Sequence, residues 1–236
     1  MTPVLLIATN FLREQRWLTL VLALYAVGLA VVFGFSGTKI SAEDAVFFLR
    51  QQSLYAPLFS LFLGVSAIHN ERKSRRALAV LSKALTRRQY VAGLLVGIMA
   101  VLGSYCAAIG ISGAWLVHSA QADLMQLWFL LGIIALTSVL VSAVALFFST
   151  FLTPVFATAA TAATVAVPAA LEQTLGHGWG NLLPVYSLMT RASDAALAHR
   201  PIPDWRAVAI AMIETVLFWV LASWIFAGRD ITAPVE

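Results

Sequence analysis

Residues 124–149 read LMQLWFLLGIIALTSVLVSAVALFFS, from Leu124 to Ser149 without one Asp, Glu, Lys or Arg. A bilayer core takes about 20 mostly apolar residues per helix, and this run fills that length. Working outward, five more runs reach the same scale: Trp17 to Phe35, Gln52 to His69 with Pro57 near its outer end, Gln89 to His118, Pro154 to Leu171, and Arg206 to Ala227. Each must be helical, because lipid offers an open backbone no hydrogen-bond partner. The 236 residues are 61% hydrophobic and 11% charged, against about 25% charged in soluble domains; mean hydropathy is +0.88. Too few polar side chains remain to cover a globule, and no long polar stretch sets off a second domain. The expectation is an all-α polytopic membrane protein, a single domain over 1–236 with six transmembrane helices.

The segments between the runs set the orientation. With both termini on one side, that side holds Arg13, Arg16, the loop from Arg72 to Arg88, and Arg229: ten Lys/Arg against the four acids Glu14, Glu71, Asp230 and Glu236. The other side holds Lys39, Arg50, Arg191, Arg200 and Arg206, five cations against six acids. Cytoplasmic loops carry the excess of Lys and Arg, so the first side is the cytoplasm, and the expected location is the bacterial inner (plasma) membrane. Trp17, Trp115, Trp128, Trp205 and Trp224 fall near run ends, where indole favours the interface. The turn Ser149 to Pro154 carries no charge; Pro154 and the hydroxyls mark it, and a helix without that break would be far too long for one span.

Three segments lie outside the runs. Pro3 to Arg16 mixes Val4, Leu5, Leu6, Ile7, Phe11 and Leu12 with Asn10, Arg13 and Glu14. It suits a helix lying at the inner interface, and equally a continuation of the first span. The cluster Arg13 to Arg16 precedes a full-length apolar run with no small-residue cleavage site, so that run reads as a retained span and not a signal peptide. The stretch Glu172 to Trp205 is long for a loop and carries apolar pieces over 181–189 and 192–198; such lengths usually hold function or short helices.

The third segment is the loop His69 to Tyr90. Leu78, Leu81 and Leu85 recur at i, i+3 and i+7, one stripe of a helix. Ser74, Ser82, Lys83 and Thr86 lie off that stripe. An amphipathic surface helix flanked by basic residues follows. Seven Lys/Arg would fix topology and hold anionic head groups unaided, but topology needs neither an apolar stripe nor this length.

This loop resembles that of the type-2 ATP-binding-cassette exporter permeases. The family carries a Glu, a basic Gly-Thr-containing stretch, Leu-Leu-Ser/Ala-x-Pro-x-Ser/Thr-Arg, then an aromatic and Gly-Lys opening the third span. Here the matches are Glu71, Leu78, Leu81, Ser82, Thr86, Arg87, Tyr90 and Gly93. The departures are Ser74 to Ala77 for Gly-Thr, Ala84 for Pro and Leu94 for Lys. The layout of the whole chain is similar, and about twenty residues are motif-like. The resemblance implies a coupling helix seated on a cytoplasmic ATP-binding subunit. Leu78, Leu81 and Leu85 would anchor it, and Glu71, Arg72, Arg75, Arg76, Ser82, Arg87 and Arg88 would supply its polar contacts. No Gly-x-x-x-x-Gly-Lys-Ser/Thr phosphate loop occurs. This chain is therefore expected to have no catalytic site; ATP and Mg would sit on the partner subunit. A second permease chain, identical or different, would complete the complex with two ATPases, and membrane lipids are the other expected partners. No nucleic acid is expected.

Two features inside the runs bear on function. Glu214 is an acid well within the sixth run. Unpaired and ionised in lipid it is costly, so it either lines a transport path, or bonds a neighbouring helix, or lies near the head groups. The fifth run holds Ala157, Thr158, Thr161 and Thr164 among alanines. Small residues permit close helix packing in lipid; the family places its fifth span at the subunit interface, and packing within one subunit fits equally. Gly93 and Gly97 form a small-x-x-x-small pair of a kind that arises often by chance. Lone Cys106 excludes an internal disulfide, and the scattered His69, His118, His177 and His199 give no metal-ligand spacing. The functional expectation is an exporter permease moving an amphipathic or lipid-like substrate outward. Its rivals are a subunit that transmits ATPase-driven motion without transport, and a lipid-modifying membrane enzyme, which would want acids and histidines clustered at one face.

Overall fold

The computed structural model describes residues 2–35, 42–73, 86–119, 124–175, 182–189 and 205–228. Among the described residues seven long helices carry the fold: α1 Pro3–Glu14, α2 Arg16–Phe35, α3 Ala42–Lys73, α4 Arg87–Ser119, α5 Leu124–Ser149, α6 Pro154–Leu175 and α7 Trp205–Gly228. A short helical turn over 185–189 precedes α7. Among the described residues there is no strand.

The boundaries follow local chemistry. Pro3 sits at the start of α1, where its missing N–H costs nothing. At Gln15 the backbone turns (φ −87°, ψ 9°), so α1 is a helix of its own and does not extend the first apolar run. Between α5 and α6 the uncharged turn falls where Pro154 predicts it. Thr150 and Phe151 donate tight i→i−3 bonds to Phe147 O and Phe148 O at 3.2 Å each, and Pro154 then opens α6. Helix α3 differs most from the sequence reading, beginning at Ala42 where the run of high hydropathy begins at Gln52. Its 32 residues extend about 48 Å, well beyond a bilayer core of about 30 Å.

Helix α5 is the central post: every residue from Leu140 to Leu146 is buried. Helix α3 packs most extensively against it. At Gly64 the crossing is so close that a Cβ would lie 2.7 Å from both Ala145 Cβ and Ser142 O. Small residues replace the ridge that would hold two helices apart. On α7 the buried positions Ala207, Ala211, Ala222 and Phe226 share one stripe, set against α5 and α4.

Two apolar clusters result. The larger joins Leu22, Phe48, Tyr105, Ile109, Leu127, Ile134 and Val144, and also takes in Leu183, Val185 and Leu188, so one side of the described piece 182–189 packs on the bundle. The smaller lies at the end from which the basic loop departs. It joins Ile7 and Phe11 of α1, Leu63 and Ile68 of α3, Tyr90, Leu94 and Ile98 of α4, Leu146 of α5 and Phe226 of α7.

The outside of the bundle is apolar. Val21, Leu24, Val32, Phe62, Ile111, Val155, Ile213 and Leu217 are all exposed, as are the five tryptophans placed near run ends. Soluble monomers rarely carry such surface, whereas lipid solvates it. Five helices, over Arg16–Phe35, Arg88–His118, Leu127–Ser149, Pro154–Leu171 and Trp205–Gly228, are long and apolar enough to cross a bilayer. The protein is an all-helical integral membrane protein on this evidence. Helix α3 is not in that set. It carries Arg50, Gln51, Gln52, Ser53, Ser60 and Ser66 along its length; one face packs against α4, α5 and α6, and the other, with Leu54, Leu58 and Phe62, is exposed.

Many hydroxyls inside the bundle are satisfied locally, Ser138 and Ser223 being exceptions among the described residues. Ser60 donates to Pro57 O (2.7 Å), Thr137 to Ile133 O (2.8 Å), Ser142 to Val139 O (2.9 Å) and Ser149 to Leu146 O (2.8 Å). Each bonds a carbonyl of its own helix, the usual arrangement for Ser and Thr away from water.

Candidate functional site

The basic loop is rooted by residues on both sides of it. Of the residues assigned to it from sequence, Arg75, Arg76, Leu78, Leu81, Ser82 and Leu85 lie outside the described residues. Glu71 and Arg72 continue the backbone of α3, Arg87 is the first residue of α4, and Arg88 is exposed beside it. Where the loop ends, Thr86 and Gln89 form a reciprocal cap. Gln89 N–H donates to Thr86 Oγ1 (3.3 Å), and Thr86 N–H donates to Gln89 Oε1 (3.2 Å). This capping box satisfies two backbone donors that would otherwise be orphans and fixes where α4 starts. Its Thr-x-x-Gln signature stands in the sequence, and Gln89 is a residue that the family resemblance did not single out.

One turn further, Tyr90 is buried and stacks on Phe226 of α7, ring centroids 5.7 Å apart and planes 14° apart. Then come the two glycines. A Cβ on Gly93 would lie 2.7 Å from Ile7 Cβ, and one on Gly97 2.9 Å from Phe11 Cβ. The small-x-x-x-small pair, unremarkable by its frequency, is the seat of α1. Helix α1 runs beside α4 in the same direction, with Ile7 against Gly93 and Phe11 against Gly97. On the other side of the loop, the last described core residues of α3, Ala67 and Ile68, lie in the same apolar cluster. Both roots of the loop are therefore embedded in one packed unit that also holds α1 and the end of α7.

Glu214 lies mid-helix in α7, half-buried. Its Oε2 is fully enclosed and has no hydrogen-bond partner among the described residues. Of the three sequence readings, a bond to a neighbouring helix is therefore not seen. The same helix leaves Trp219 Nε1 and Ser223 Oγ enclosed without a partner.

On α6, Ala157 and Thr161 are fully buried within this chain, while Thr158 and Thr164 are half-buried. The three threonine hydroxyls are all taken by their own helix: Thr158 donates to Pro154 O (2.8 Å), Thr161 to Ala157 O (2.7 Å) and Thr164 to Ala160 O (2.7 Å). None of these bonds reaches across to a second helix. The free side of α6 carries Val155, Phe156, Ala159, Ala162, Ala163 and Val167.

A polar pair that sequence reading passed over lies at the centre of the larger cluster. Tyr105 Oη of α4 donates to Gln52 Oε1 of α3, and both residues are fully buried. Tyr105 is edge-on to Phe59 (5.8 Å), and Tyr25 is edge-on to Tyr55 (5.6 Å) and Phe59 (6.4 Å). Gln52 Nε2 has no partner among the described residues. A buried glutamine inside an apolar bundle was the available signal. Among the described residues no group of His, Cys, Asp or Glu is placed to hold a metal ion. The chain matches no family model and no curated protein.

Proposed function

We propose that this chain is the membrane-spanning permease subunit of an ATP-driven exporter, with both termini and the basic loop in the cytoplasm. Helix α3 serves as the sixth span, with Gln52, Ser53 and Ser60 turned into the bundle and Leu54, Leu58 and Phe62 turned to the lipid. Segment 71–88 is the coupling element for a separate ATP-binding subunit, which holds ATP and Mg. The observation that carries the reading is the embedding of both loop roots in one apolar unit with α1 and the end of α7. A push on the loop then moves four helices together, which a loop serving only topology does not require. The substrate class that suits an apolar bundle of this kind is amphipathic or lipid-like. A second permease copy, or a related chain, would pack on the free side of α6.

Two experiments test this. Affinity purification of the full-length chain from its native membranes should bring down a phosphate-loop ATPase in stoichiometric amount; its absence removes the transporter reading. A cysteine at Lys83 in a Cys106→Ser background should be labelled only from the cytoplasmic side, and labelling from outside would reverse the topology. The reading in which ATPase-driven motion is transmitted without transport shares all of these contacts. Transport of a lipid-like solute in ATP-loaded proteoliposomes distinguishes the two.

A further inference from the structure

At the basic end of the bundle an open groove of about 320 Å³ runs between α2, α3 and α6, lined by Leu18, Phe62, Val65, Ser66, His69 and Thr158 among others. Its two hydroxyls are already spent: Ser66 donates to Leu63 O (3.3 Å) and Thr158 to Pro154 O (2.8 Å). With both hydroxyl protons taken, the wall offers little to ordered water. Its one remaining polar group is the exposed His69, at the end nearest the loop. Chemistry at that end is cationic. Helix α2 opens at that end with the exposed Arg16, two residues before Leu18. An apolar trough with a hydrogen-bond donor at its mouth and the Arg16 cation at the same end matches one kind of molecule: a long apolar tail ending in an anionic head.

We propose that this groove holds one acyl chain of an anionic phospholipid from the cytoplasmic leaflet, its phosphate accepting a hydrogen bond from the His69 imidazole. Basic pockets between spans on the cytoplasmic side suit such head groups. The lipid is a resident ligand, independent of whether the chain transports a solute; the site rests only on the basic end facing the cytoplasm.

The test uses the full-length protein purified in mild detergent, with bound lipid counted by native mass spectrometry during titration with phosphatidylglycerol or with phosphatidylcholine of the same chains. One phosphatidylglycerol should bind per chain, at about tenfold lower concentration than phosphatidylcholine. Val155→Trp, at an exposed rim position, and Leu18→Trp, from the opposite wall, should each abolish that binding without lowering the melting temperature of the lipid-free protein. His69→Glu should reduce phosphatidylglycerol to the phosphatidylcholine level. Undiminished binding in the groove-filling variant that keeps its melting temperature would overturn the proposal. So would equal affinity for the two lipids, or a lipid-free dimer in which a second copy fills the groove.

Discussion

Tyr90, buried just after the basic loop, lies stacked on Phe226 near the end of α7, with ring centroids 5.7 Å apart and planes 14° apart. The pair ties the loop to the far end of the chain across 136 positions of sequence. Aromatic pairs contribute about 0.5–1.5 kcal/mol beyond their area. A double-mutant cycle with Tyr90→Leu and Phe226→Leu, read by thermal unfolding in detergent, should return a coupling energy of about 1 kcal/mol. A coupling near zero would mean that the two rings are merely neighbours.

Helix α1 is seated by two glycines. Gly97→Val places its branched side chain where Phe11 now lies, and overpacking of this kind costs about 1–3 kcal/mol. The strain is relieved most readily by lifting α1, because α1 touches little besides α4. Trypsin should then cut faster at the exposed Arg13, with the bundle itself still protected. Cleavage at the wild-type rate would show that α1 is held by something other than this seat.

The Gln52–Tyr105 pair is the strongest test of how polar groups are tolerated in this bundle. Gln52→Leu strands the Tyr105 hydroxyl and should cost about 1–3 kcal/mol. Adding Tyr105→Phe removes the stranded group as well, so the double variant should recover much of the loss. Thermal unfolding of the two variants side by side is the measurement. A double variant no more stable than Gln52→Leu would place the energy in packing and not in the hydrogen bond.

Glu214 presents an enclosed carboxyl oxygen without a partner. An unpaired carboxylate is costly in an apolar bundle, and replacing it by a neutral amide of the same shape should be neutral or stabilising. Glu214→Gln is expected to melt at or above the wild-type temperature. If the side chain lines the transport path, the same variant should lose transport in proteoliposomes; unchanged transport would assign Glu214 no part in it.

How much of this was legible in the sequence depends on the range of the forces involved. Helix positions were nearly all readable, because lipid forces backbone bonding inside each apolar run and Pro154 marks the one uncharged turn. Helix α3 was less so. Its first turns, with Glu43, Asp44 and Arg50, lack the hydropathy that betrays a span, and its close packing on α5 through Gly64 is a long-range fact. The roots of the candidate site were half-visible. The Thr86-x-x-Gln89 cap is local and was there to be read, whereas the stacking of Tyr90 on Phe226 and the seating of Ile7 and Phe11 on Gly93 and Gly97 are long-range facts. The threonines of α6 show the opposite lesson. Their composition suggests bonds across a helix contact, but each hydroxyl reaches its own i−4 carbonyl first, since that acceptor is always at hand.

The central claim is that segment 71–88 docks an ATP-binding subunit through Leu78 and Leu81. The most direct measurement compares wild type with the Leu78→Asp/Leu81→Asp variant, purified full-length from native membranes, for the amount of phosphate-loop ATPase carried along and for its ATP turnover. Two buried carboxylates cannot replace an apolar anchor, so the variant should fold, insert and lose the ATPase by at least about tenfold. An ATPase that still co-purifies in full and turns over ATP at the wild-type rate would contradict the account.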